Sequence, residues 1–236
     1  MKNIFVQNTY NKLINNLHYI NIPEIKFYFD TVNNNLYKLY YNLKLSAFIF
    51  SSSSINDEIV SFINDHSDNP DIKIYIYHDI YNEYLMSIMP KCYHIIDEDN
   101  YTGNGIKFPK NIVNPNLYKS NKNIGKKEHI IVFLEKQADI PEGVKNKLYP
   151  NDTSILMFNN ANIKNDQNIG FLSETTRAEV LQESRFFACD NDYYALEAGL
   201  CGCDILDIND LDKNITKNYD FTNYITYNEY LGKILT

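Results

Sequence analysis

Ser184-Arg185-Phe186-Phe187-Ala188-Cys189-Asp190-Asn191-Asp192-Tyr193-Tyr194-Ala195-Leu196-Glu197-Ala198-Gly199-Leu200-Cys201-Gly202-Cys203-Asp204-Ile205-Leu206 reads as strand, turn, helix and second strand. Ser184 to Cys189 is a short apolar run followed by an acidic loop; Tyr194 to Leu200 is compatible with a helix, Gly202 stops it, and Asp204-Ile205-Leu206 resumes as strand. Repeated strand-helix-strand units need crossovers, and crossovers build parallel sheets flanked by helices. The expected class is therefore α/β. An acidic loop at the start of a short helix suits hydroxyls better than phosphates. Glu197, in the first turn, is favoured there by the helix dipole and is placed to accept hydrogen bonds from a ribose diol.

Upstream, the same alternation continues. Residues 1–24, with Leu13, Leu17, Tyr19 and Ile20, are expected to form a helix closing on Asn21-Ile22-Pro23. Strands are expected at Ile25–Asp30, at the nearly all-apolar Ala47–Phe50, at Ile72–Tyr77 and at Cys92–Ile96, with helices at Leu36–Leu43, Ile55–Ile63 and Tyr81–Met89. The run Ser51-Ser52-Ser53-Ser54 is expected to cap the helix that follows it, or else to hold an anion or a sugar hydroxyl there. From Asp97 to Gly125 the composition turns to Asp, Asn, Gly, Pro and Lys. That divides the chain into a first domain at 1–104, a linker at 105–127 and a second domain at 128–236. In the second domain His129–Leu134 and Ser154–Phe158 are expected strands and Val144–Tyr149 a short helix. The Asn- and Tyr-rich segment beyond Asp207 is able to wrap back on the first half.

Composition excludes several classes. A chain of 236 residues with 44% hydrophobic content can bury a proper core as one large or two small domains. A net charge of −8 with only two arginines, Arg177 and Arg185, argues against general nucleic-acid binding, which needs clustered cations against phosphate. Cys92, Cys189, Cys201 and Cys203 lack zinc-site spacing and are too few for a disulfide scaffold, so Cys201 and Cys203 read as small buried packing. No secretory leader or run of transmembrane length is expected, which suggests a cytoplasmic protein. The abundance of Asn, Lys, Ile and Tyr suggests an AT-rich genome, viral, phage or low-GC bacterial.

Glu197-Ala198-Gly199-Leu200-Cys201-Gly202-Cys203-Asp204-Ile205-Leu206 resembles the donor-site signature of GT-B-fold glycosyltransferases. Upstream, Asn168-Ile169-Gly170-Phe171-Leu172-Ser173-Glu174, then Arg177, Leu181 and Ser184-Arg185-Phe186-Phe187, is similar to that family's glycine loop, its helix and the strand leading to the donor. The resemblance implies two Rossmann-like domains, a nucleotide-sugar donor on the C-terminal one, an acceptor hydroxyl on the N-terminal one, and transfer in a cleft without a bound metal or other cofactor. It places Glu197 on the ribose and Gly170 near the phosphates, with Arg177, Arg185, Asp192, Tyr193 and Ala198 among the donor-binding residues. The pattern departs at Cys189, where many retaining members carry a glutamate, and at Cys203-Asp204, where a proline is usual. Stereochemistry, donor, acceptor and self-association into a homo-oligomer stay open.

Two further groups follow from position on the expected sheets. His78-Asp79, at the carboxyl end of a strand of the acceptor-side domain, is placed to take a proton from the acceptor, with Asp79 orienting His78; a helix-capping histidine is the alternative. Lys136, after the first strand of the second domain, is placed to touch donor phosphate. Beside the transferase reading stand a non-catalytic GT-B-like module that binds a nucleotide or glycan or assembles with an active subunit, and an unrelated α/β domain.

Overall fold

The computed structural model describes the chain except residues 10, 32–34, 122–124, 135–141, 149–154, 159–169, 171, 191, 210, 212–220, 222–223 and 236, and gives the backbone alone at 147–148, 155, 158 and 192–193. It is α/β, with parallel sheets flanked by helices, and it divides into two compact units, Met1–Ile112 with Tyr227–Thr236, and Val113–Thr226.

The first unit contains β1 (Lys2–Gln7), α1 (Lys12–Leu17), β2 (Ile25–Asp30), α2 (Leu36–Leu43), β3 (Ala47–Ser51), α3 (Asp57–His66), β4 (Lys73–His78), α4 (Glu83–Ile88), β5 (Tyr93–Asp97) and β6 (Ile106–Phe108). The sheet runs β2-β1-β3-β4-β5-β6 with every neighbour parallel. Its order reverses between β1 and β3, the kind of switch point where open sheets bind ligands at their carboxyl ends. Side chains alternate across the sheet. Phe5, Phe48, Phe50, Ile74 and Ile76 pack with Phe62 and Ile63 of α3 and Leu85 of α4, while Tyr75 points to the other face and donates to the Ile234 carbonyl at 2.6 Å.

Three expectations change here. The opening residues are not a helix: Asn3-Ile4-Phe5-Val6 forms the strand paired to both β2 and β3, and a helix starts only where the Asn11 side chain accepts from the Ile14 amide. A buried run of this length serves equally as strand or helix in sequence, and pairing on both sides decides it. The expected linker begins with a sheet strand, because β6 pairs with β5 and the units divide at Ile112/Val113, within β7 (Ile112–Val113). The second unit ends at Thr226 and not at 236: the last helix belongs to the first unit, in line with the expectation that the segment beyond Asp207 is able to wrap back on the first half.

The second unit holds β8 (Lys127–Phe133), α5 (Glu142–Leu148), β9 (Ile155–Phe158), α6 (Glu174–Glu183), β10 (Ser184–Cys189), α7 (Asp192–Leu200), β11 (Asp204–Ile205) and β12 (Ile225–Thr226). The chain then ends in α8 (Tyr227–Leu235), which buries Tyr227, Tyr230, Leu231 and Leu235. The second sheet runs β11-β10-β8-β9, all parallel, so its first four strands repeat the order of β1 to β4 with a switch point between β8 and β10. Ile131, Phe133 and Phe187 face α6 and α7; Ile130, Val132 and Ala188 face Val144 of α5. The helix α7 closes on Gly202 at φ 83°, with Cys203 N donating to Ala198 O at 3.0 Å and Gly202 N to Gly199 O at 2.9 Å, the paired bonds of a left-handed glycine cap.

Candidate functional site

In the second unit the quoted stretch gives strand, helix and strand in the expected order, and α7 rises from the carboxyl end of β10 beside the switch point, but it starts at Asp192, two residues earlier than expected, which puts Glu197 beyond its first turn. Asp192 and Tyr193 open that helix. Glu197, one turn further on, is fully buried, and its partner is protein: Arg177 Nε donates to Glu197 Oε2 at 2.9 Å and Arg177 Nη2 to Oε1 at 3.3 Å. The same Nη2 donates to Glu174 Oε2 at 2.9 Å and to the Tyr118 hydroxyl at 2.8 Å, and that hydroxyl donates to Glu174 Oε2 at 2.6 Å. The rings of Tyr194 and Tyr118 lie 5.1 and 5.7 Å from the guanidinium carbon. Burial, with the negative Glu197 beside it, pushes the Tyr118 phenol well up.

Two residues expected on the donor, Arg177 and Glu197, are thus brought together on each other. A carboxylate with no exposed surface reaches a ribose only if the pair opens. Their spacing of one residue per helix was visible in sequence; Tyr118, from the segment between the units' sheets in sequence, was not, because no periodic pattern marks it.

The remaining donor-side residues scatter. Ala198 is fully buried in the cluster between β10 and α7. Arg185 sits at the amino end of β10, the end opposite the switch point, where it is exposed, donates to Glu128 Oε1 at 2.5 Å and lies over the Phe186 ring. Its place as second residue of the strand removes it from the carboxyl edge. Gly170 has φ 74°, and a Cβ added there would meet nothing within 4 Å. Lys136 lies outside the described residues. Cys201 and Cys203 are small buried packing as expected; burial pushes their thiols up to about 12 and about 11.

In the first unit the carboxyl edge of the sheet gathers polar groups from the ends of β3, β4 and β5. Ser52 Oγ and the Ser53 amide donate to Asp79 Oδ1 at 2.8 and 3.1 Å, and Ser53 Oγ donates to Asp79 Oδ2. The serine run therefore clasps a carboxylate, and α3 is capped by Asn56 instead, whose side chain accepts from Ile59 N at 3.0 Å. Burial works to raise the Asp79 carboxyl, and hydrogen bonds from Ser53, Ser51 and Ser52 outweigh it, so the group stays below its usual range.

His78 turns inward. It is 1% exposed, its Nε2 lies 2.9 Å from His94 Nδ1, and His94 Nε2 lies 3.0 Å from the Met89 carbonyl. That carbonyl can only accept, so His94 carries its proton on Nε2, accepts at Nδ1, and fixes the His78 proton on Nε2. Burial, with His94 beside it, pushes His78 down to about 4. The orienting role expected of Asp79 falls instead to His94.

The last residue of β5, Asp97, was missed in sequence. It accepts from the Tyr77 hydroxyl at 3.1 Å, and burial raises its carboxyl, opposed by Lys12. Only sheet order brings Lys12, Tyr77 and Asp97 to one edge.

Among the described residues there is no group of three His, Cys, Asp or Glu side chains placed to hold a metal ion, and no helix long and apolar enough to cross a membrane. Comparison of the chain with protein-family models, with curated proteins and with solved structures gave no match.

Proposed function

We propose that the chain is a small glycosyltransferase of the GT-B type, with two Rossmann-like units, moving a sugar from a nucleotide-sugar donor to an acceptor hydroxyl without a bound metal. The observation that carries this reading is the signature helix: α7 leaves β10 at the switch point of a parallel sheet ordered β9-β8-β10-β11, where such sheets take ligands. Asp192 and Tyr193, which the resemblance places on the donor, open that helix. The first unit, whose own carboxyl edge gathers Asp79, Asp97 and Lys12, takes the acceptor.

One observation favours a second reading, a non-catalytic module that binds a nucleotide or glycan. The Glu197 carboxylate is spent on Arg177, and Cys189 stands where many retaining members carry a glutamate.

A thermal-shift screen against UDP, GDP, CDP, ADP and their sugars, with and without a chelator, tests both, since binding to the native state raises the midpoint by mass action. Stabilisation by one nucleotide family that survives chelation, falls in Asp192→Ala and accompanies sugar transfer supports the transferase. Stabilisation without transfer or donor hydrolysis supports the module. No stabilisation by any nucleotide overturns the transferase and the nucleotide-binding form of the module.

A further inference from the structure

Three groups at the carboxyl edge of the first sheet carry more than has been assigned to them. Asp79 and Asp97 end or follow neighbouring strands, β4 and β5. Both oxygens of Asp79 are taken by serines. Asp97 differs: Tyr77 donates to Oδ1, and among the described residues Oδ2 has no hydrogen-bond donor, while the residue is partly exposed. The Tyr230 hydroxyl is buried and without a hydrogen-bond partner among the described residues; its ring lies 5.4 Å from that of Phe108, as does the ring of Tyr77, and burial, with the Asp97 charge adding to it, raises its pKa. The Lys12 ammonium, 5.2 Å from the centroid of the Phe108 ring, acts on Asp97 in the opposite sense.

We propose that Asp97 is the proton acceptor for the acceptor hydroxyl, in a site formed with Tyr77, Tyr230 and Lys12; this role rests on the transferase reading above. The ligand it takes is a neutral hydroxyl, which donates to Oδ2. In the step, the acceptor O–H bond breaks and its proton moves to Asp97. The oxygen lone pair forms the new bond to the anomeric carbon, and the bond from that carbon to the diphosphate breaks with its electron pair leaving on the nucleoside diphosphate. Asp97 then releases the proton to water. A single displacement of this kind inverts the anomeric configuration.

Environment separates the two carboxylates in the manner expected of paired groups with different tasks. Burial raises Asp97, Asp99 and Asp79 add to it, and Lys12 and the Tyr77 bond oppose it; Asp79 is held down by its serines. A carboxylate with a raised pKa is a stronger base than an ordinary one, whereas His78 is buried and its Nε2 is taken by His94.

The test is steady-state kinetics of the full chain with the nucleotide sugar that the thermal screen identifies. Asp97→Asn is expected to lower kcat by about 10²–10⁴-fold, to leave the donor KM and the donor-induced thermal shift unchanged, and to abolish the acidic limb of the pH profile. Tyr77→Phe removes a bond that lowers the Asp97 pKa, so that limb moves to higher pH. Product of inverted configuration is expected. Donor binding and transfer with wild-type kcat in Asp97→Asn overturns the role of Asp97 alone. If Asp97→Asn does not fold, an acidic limb unmoved in Tyr77→Phe overturns it. A wild-type chain that neither binds donor nor transfers sugar overturns the transferase reading and this role together.

Discussion

Arg177 and Glu197 satisfy each other: the guanidinium donates through Nε and Nη2 to the two oxygens of a carboxylate that has no exposed surface, and α6 and α7 are thereby joined. An ion pair this deep is costly to break because the survivor is left charged in a low dielectric. Arg177→Met leaves Glu197 and Glu174 facing each other and is expected to destabilise the chain by about 3–5 kcal/mol, with Glu197→Gln costing less because the amide oxygen still accepts. The double variant Arg177→Met/Glu197→Gln is expected to cost less than the sum of the two single variants, because no fully buried charge is then left without its partner. Urea unfolding of the three variants measures this, and additive costs would show that the pair is not coupled.

The histidine pair makes stability depend on pH. His78 has a folded pKa of about 4 against an ordinary 6.5, so the unfolded chain binds its proton first as pH falls. The sign follows: the contribution is full above pH 6.5 and is lost as pH drops toward 4, by about 3 kcal/mol in total. His94, lowered mainly by burial, acts in the same direction. His78→Phe is expected to flatten the stability profile across that window. Urea midpoints at pH 7 and pH 5 read it directly, and an unchanged slope would contradict the buried neutral imidazole.

Gly199 within α7 and Gly202 just after it are required for different reasons. Ala outranks Gly in helices by about 1 kcal/mol, yet a Cβ on Gly199 would fall 2.0 Å from the Phe221 ring. Overpacking of about 1–3 kcal/mol is larger than the propensity gain, so Gly199→Ala is expected to destabilise. Gly202→Ala is expected to cost about 1 kcal/mol because φ 83° is left-handed. Combining Gly199→Ala with Phe221→Ala should recover the first cost and not the second, which thermal unfolding resolves.

Truncation after Thr226 is expected to unfold the first sheet. The deleted helix buries Leu231 and Leu235, accepts from Tyr75 at the Ile234 carbonyl and from Lys2 Nζ at the Leu235 carbonyl at 2.7 Å. Burying each leucine stabilises by about 1.5–3 kcal/mol, so the two together contribute about 3–6 kcal/mol, comparable to the low end of a domain's stability of about 5–15 kcal/mol, before Tyr227 and Tyr230 are counted. Hydrogen exchange at β1 and β4 would detect it. Slow exchange at both strands in the truncated chain would contradict the packing role of α8.

By itself the sequence determined the α/β class and most of its elements. Apolar runs of strand length, helical spacing and punctuation by Gly202, Pro70 and Pro90 are local properties, written in order along the chain. It also marked α7 and the two arginines. Tertiary structure alone decided that residues 3–6 are a paired strand, that β6 extends the first sheet, and that the final helix joins the first unit, because strand pairing and helix docking are long-range. It likewise decided that Glu197 meets Arg177, that His78 meets His94, and that Asp97 stands at the edge with Tyr77. Residue type announces a carboxylate or an imidazole, but burial and partner set its charge and reach, and those depend on which chain segments the fold brings into contact.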